Sequence, residues 1–83
     1  MKILFFARLR QLAGRGMEEV EVPDSVATAS ALMDFLAARD DGLAAAFADR
    51  RTIRVAIDQQ HAAPEASIAG AREVAFFPPV TGG

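Results

Sequence analysis

The chain of 83 residues contains no cysteine, tryptophan or tyrosine, and only one histidine and one lysine. Without cysteine there is no disulfide, no thiolate nucleophile and no zinc knuckle, and His61 alone cannot assemble a metal site. A reducing compartment is therefore permitted. Positive charge is not in excess: eight arginines and Lys2 are outweighed by 11 acidic residues, for a formal net charge of -2. That balance offers no broad basic field to nucleic acid. Long hydrophobic runs are missing as well. The apolar ILFF near the start is far shorter than a signal-peptide core, and no stretch approaches the ~20 apolar residues of a membrane span. The expectation is a cytoplasmic protein with neither a nucleic-acid nor a membrane partner.

What is present is a composition 52% hydrophobic and 24% charged, which suits one globular domain with a small core. A chain this short buries a modest share of its surface, and with disulfides and metal excluded, a partner is the remaining support.

Lys2 to Ala7 (KILFFA) reads as a buried strand, being short, apolar and rich in β-forming residues. One or two helical turns over Arg8 to Ala13 lead to the turn at Gly14-Arg15-Gly16. Met17 to Val22 then alternates, with Val20 and Val22 on one face and Glu19 and Glu21 on the other. From Thr28 the period changes. Ala29, Leu32, Met33 and Leu36 recur at the spacing of a helical stripe, with Thr28 as N-cap and Asp24 or Ser25 as rivals. Asp40-Asp41-Gly42 is expected to end this helix, followed by a shorter one over Leu43 to Ala48. Arg51 to Ile57 alternates as a strand, and Asp58-Gln59-Gln60 forms a turn. His61 to Ala71, broken by Pro64 and Gly70, holds at most a weak strand. Glu73 to Phe77 closes the body as a second strongly apolar strand.

Two such strands at opposite ends of the sequence belong side by side in the middle of one sheet, because exposed edges of that character aggregate. With the long helix on one face, the expected fold class is α+β, a β-grasp (ubiquitin-like) roll with short extra helices. A ferredoxin-like sandwich would need a second long helix where Pro64 and Gly70 stand. The body is expected over 1–77 and an extended functional tail over 78–83.

The tail, PPVTGG, has a chemistry of its own. Pro78 and Pro79 cannot donate to a sheet ladder and stiffen the chain as it leaves Phe77. Val80 and Thr81 provide one apolar anchor and one hydroxyl. Gly82 and Gly83 have no Cβ, so their backbone fits a channel too narrow for other residues. The group delivered at the tip is the α-carboxylate, ionised at neutral pH and a poor acyl donor until another protein activates it, most simply as a mixed anhydride with AMP.

The ending EVAFFPPVTGG and the opening KILFFARLRQLAG resemble the small subunits of molybdopterin synthase, a family whose length and element order the whole chain shares. The resemblance implies a sulfur carrier. Gly83 would be adenylated by an E1-like adenylyltransferase using ATP, then converted to a thiocarboxylate with sulfur from a sulfurtransferase. Pro78, Pro79, Val80, Thr81 and Gly82 would insert into the large subunit, where sulfur passes to cyclic pyranopterin monophosphate to form the dithiolene. It further implies a heterotetramer, catalytic groups on the large subunit, no metal and no permanently bound cofactor. Departures from the family pattern occur at Ala69-Gly70-Ala71-Arg72-Glu73, where acidic residues are common, and at Asp58-Gln59-Gln60. Sulfur carriers of thiamine thiazole synthesis share the fold and the Gly-Gly ending but lack the FFPPV run. A ubiquitin-related modifier that conjugates to lysines, or an interaction domain with an inert tail, would also be compatible with this fold and ending.

Because side chains alternate along a strand, Phe6 and Phe77 are expected to point away from the core that takes Phe5 and Phe76. Aromatics left on an uncovered sheet face mark a partner surface, here assigned to the large subunit. His61 reads as an ordinary strand or surface histidine rather than a general base, one that could lie near the partner surface. Arg50, Arg51 and Arg54 read as a solvated face that could guide docking to an acidic partner.

Overall fold

A computed structural model describes residues 1–79; the expectations for Val80, Thr81, Gly82 and Gly83 lie outside the described residues. Five strands form one sheet: β1 (Lys2–Phe5), β2 (Met17–Glu19), β3 (Arg54–Ile57), β4 (Gln60–Ala62) and β5 (Glu73–Phe77). Their order is β2-β1-β5-β3-β4. The two apolar strands pair in parallel at the centre, with Ile3 opposite Val74 and Phe5 opposite Phe76. The neighbouring pairings are antiparallel. Each central strand is thus paired on both edges, and the exposed edges fall to the three-residue strands β2 and β4, too short to template much aggregation.

Three short helices accompany the sheet: α1 (Ala7–Ala13), α2 (Ala29–Ala37) and α3 (Asp41–Ala46). In α2 the stripe Ala29, Leu32, Met33 and Leu36 is buried as its spacing predicts, and Thr28 is the N-cap, its Oγ1 accepting from the Ala31 N–H at 3.1 Å. The core lies between these helices and one face of the sheet. At its centre Phe5, Phe47 and Phe76 form a ring cluster, with Phe47 edge-on to Phe76 at 4.9 Å. Such pairs add roughly 0.5–1.5 kcal/mol each beyond the area they bury. A mixed sheet with helices on one face and parallel terminal strands at its centre is the β-grasp arrangement.

Local corrections follow from tertiary contacts. The helix expected to end at Asp40-Asp41-Gly42 stops at Ala37, and Asp40 instead begins α3, its Oδ1 accepting from the Leu43 N–H at 2.8 Å. A carboxylate that can satisfy free N–H groups suits a helix start, where the dipole is positive, better than an end. Residues Arg50–Thr52 form a 3₁₀ turn, so the third strand begins only at Arg54. The second ends at Glu19, although Val20 still exchanges hydrogen bonds with Met1 and is buried. The poorly legible segment after β4 is tied to the start of α2: Ser30, Ala29 and Ile68 N–H groups donate to Pro64, Ala66 and Ala27 carbonyls. Ile68 is thereby carried into the core.

The β3–β4 turn has Asp58 at φ 49° and Gln59 at φ 70°, a left-handed pair that matches the twist of a two-residue hairpin. Asp58 Oδ1 accepts from the N–H groups of Arg72 and Glu73 at 2.9 and 3.0 Å, fastening this turn to the start of β5.

Candidate functional site

The helices leave the second face of the sheet uncovered, and the strand register orders its side chains into three rows. At one end Glu19, Lys2 and Glu73 stand opposite one another, with Lys2 Nζ 3.6 Å from Glu73 Oε1. The middle row runs Met17, Leu4, Ala75, Ala56 and His61. The third row lies where β5 ends and the tail begins: Phe77 stands opposite Arg54, and the Phe6 N–H donates to the Phe76 carbonyl at 3.1 Å, which brings Phe6 alongside. Paired charges at one end give way to aromatic side chains and the exposed Arg54 at the tail end.

Ala75 and Ala56 are 6% and 9% exposed and form a low floor. Around it rise Met17, 54% exposed, Phe6, 48% exposed, and the half-buried Phe77. His61 packs edge-on against Phe77 at 5.3 Å. Phe6 and Phe77 therefore share the open face, while Phe5 and Phe76 are buried on the other. Met17, Leu4 and His61 join them there. Leu4 is recoverable from the period of two counted back from Phe6, but Met17 and His61 reach this face only through the register of β2 and β4.

The local sequence is not what helix formation alone would select. Phe6 occupies the N-cap position of α1 in extended backbone and makes no side-chain cap hydrogen bond, where Ser, Thr, Asp or Asn would satisfy a free N–H. Ala7 follows at φ 53°, a region that disfavours a side chain with Cβ. A half-exposed phenylalanine in a capping slot, next to a strained residue, is a local conflict of the kind found at functional sites.

Pro78 and Pro79 are half-buried at the end of β5. They are the described part of the tail. Among the described residues no group of three or more His, Cys, Asp or Glu could hold a metal ion, and no helix is long and apolar enough to cross a membrane.

The best-connected polar cluster is elsewhere and has a structural role. Arg15 bonds Glu18 at 2.7 Å and Asp40 at 2.8 Å, and Arg39 adds a contact to Glu18 at 3.1 Å. The Leu43 N–H, then the Arg15 guanidinium, hold the Asp40 carboxyl below its ordinary range. Asp40 first, then Glu18, raises Arg15. This network joins the β2 end of the hairpin to the start of α3.

Comparison with known proteins gives a consistent result. The family model described as the ThiS family matches residues 3–83. Molybdopterin synthase sulfur carrier subunits of Haemophilus influenzae and Escherichia coli are each 39% identical over 83 residues, covering 100% of this chain and 99% of theirs. Among solved structures, SAMP1 from Haloferax volcanii aligns with a TM-score of 0.72 at 30% identity, covering 100% of this chain and 98% of that one. A putative molybdopterin converting factor, subunit 1, from Pyrococcus furiosus aligns at 0.70 with 26% identity, covering 95% of each.

Proposed function

The chain belongs to the ThiS family, and on that basis we propose that it is the sulfur carrier subunit of a molybdopterin synthase. The observation that carries this reading is full-length similarity to two sulfur carrier subunits of that enzyme. The open aromatic face beside the tail exit supports it.

The chemistry falls to the tail. An ionised carboxylate at Gly83 attacks the α-phosphorus of ATP on an activating adenylyltransferase, giving an acyl adenylate and releasing pyrophosphate. Sulfide-level sulfur, released from a sulfurtransferase by a thiol reductant, then displaces AMP, leaving a thiocarboxylate. Its sulfur is softer and more nucleophilic than the oxygen it replaces. Inside the large subunit the sulfur bonds to a carbon of the pterin precursor as an oxygen substituent leaves that carbon, and hydrolysis of the resulting acyl–sulfur bond leaves the sulfur on the pterin and returns the tail as a carboxylate. The carrier contributes no general acid or base in this scheme. It contributes reach, since the six residues after Phe77 extend at most about 20 Å, and access, since Gly82 and Gly83 occupy little width. Phe6 and Phe77 dock against the large subunit, which sets where the tail enters.

Incubation with ATP, a sulfur source and the cognate activating enzyme, followed by intact mass measurement, tests the reading. The expected gain equals the mass difference between sulfur and oxygen. Deleting Gly83 should abolish that gain and sulfur transfer while leaving folding and large-subunit binding intact. An unchanged mass for the full chain would sink the carrier role, and denaturation-resistant adducts on other proteins would identify a modifier instead.

A further inference from the structure

The third row of the open face contains a cation that no carboxylate among the described residues neutralises. Arg54 stands directly opposite Phe77 in the β3–β5 register and is exposed. Its Nη1 reaches only main-chain carbonyls, those of Arg51 at 3.3 Å and Ile53 at 3.4 Å. Its neighbours differ. Arg50 pairs with Asp34 and Arg51 with Asp49, so the three arginines that looked alike in the sequence divide into two with carboxylate partners and one without. Arg8, Arg10 and Arg72 also lack a carboxylate partner among the described residues, but the first two are on α1 and the third is in the loop before β5.

Resting on the reading that a partner covers Phe6 and Phe77, the position of Arg54 constrains that partner. Arg54 is the cross-strand neighbour of Phe77, so a surface that seals against Phe77 and extends over Arg54 also removes water from its guanidinium, and a cation stripped of water without an anion is strongly disfavoured. The planar fork of arginine matches a carboxylate in two-point geometry. We propose that Arg54 is a specificity-determining docking residue, and that the protein surface receiving the tail bears a carboxylate against it at the rim of the tail's entry. Such a pair orients the sheet face so that the chain beyond Phe77 is aimed into the channel. It also discriminates against apolar surfaces that would otherwise fit Phe6 and Met17.

The test is association of the full chain with its cognate large subunit, followed kinetically at low and high ionic strength. Arg54→Ala and Arg54→Glu should slow association about tenfold or more at low salt, and the deficit should shrink at high salt. Arg72→Glu should behave like the unmodified chain. Wild-type kinetics for Arg54→Glu, or an equal deficit at both ionic strengths, overturns the inference. If circular dichroism shows that Arg54→Glu does not fold, Arg54→Ala decides. An unmodified chain that fails to bind the large subunit at any salt concentration overturns the proposed function itself, and this inference with it.

Discussion

Replacing Phe6 with alanine separates what this side chain does for the fold from what it does for a partner. Phe6 is 48% exposed, so of the ~200 Å² that a phenylalanine can bury, roughly 100 Å² is covered by its own chain and roughly 100 Å² remains open. At ~25 cal/mol per Å² each half corresponds to about 2.5 kcal/mol as an upper figure. Phe6→Ala should therefore lower the unfolding free energy by up to about 2.5 kcal/mol, against a total of roughly 4–12 kcal/mol for a domain of this size. It should independently weaken large-subunit binding by about ten- to a hundredfold. Urea denaturation reads the first quantity and titration calorimetry the second. Phe6→Ser sharpens the experiment, because serine at the N-cap of α1 should recover about 1 kcal/mol of stability without recovering any affinity. Stability that falls while affinity stays at the wild-type value would refute the assignment of Phe6 to the partner surface.

Two other predictions concern the fold. Gln59→Gly should raise the urea midpoint, by up to about 1 kcal/mol in stability, because Gln59 has φ 70° and glycine carries no Cβ penalty there. An unchanged or lower midpoint would mean that the turn does not hold that conformation. The lowered Asp40 carboxyl makes stability depend on acid. Its folded value lies below its unfolded one, so the stabilisation is complete above the unfolded value of ~3.9 and disappears as pH falls through the folded value. Asp40→Ala should flatten that part of a stability profile below pH ~5, and a profile parallel to wild type would remove Asp40 from the account.

Sequence periodicity made the central elements legible because it is a local property. KILFF and EVAFF read as buried strands by their residue types, and their distance apart in the chain already argued for pairing at the sheet centre. The α2 stripe and its Thr28 cap were equally plain. The alternation that separates Phe5 from Phe6 and Phe76 from Phe77 supplied the two phenylalanines of the candidate site. The tail, whose Val80 to Gly83 lie beyond the described residues, was read from its residue types, two prolines and then two glycines, and from the resemblance of its ending to the small subunits of molybdopterin synthase.

Tertiary structure decided whatever depends on a neighbour distant in sequence. The segment from Ala63 to Arg72 has no periodicity to read, since its main-chain hydrogen bonds form local turns or go to residues distant in sequence, among them Lys2, Ala27, Ala29 and Ser30, rather than to a regular element of its own. Asp40 lies between two helical segments, and it was fixed as the start of α3 by the Leu43 N–H together with Arg15 from the hairpin. Met17 and His61 reached the open face through strand register, and Arg54 was set apart from Arg50 and Arg51 by which carboxylates lay within reach. A sequence determines which faces are apolar, because side-chain direction follows from the local backbone. Which faces meet, and which charges are left without a partner, follows only once the chain has closed on itself.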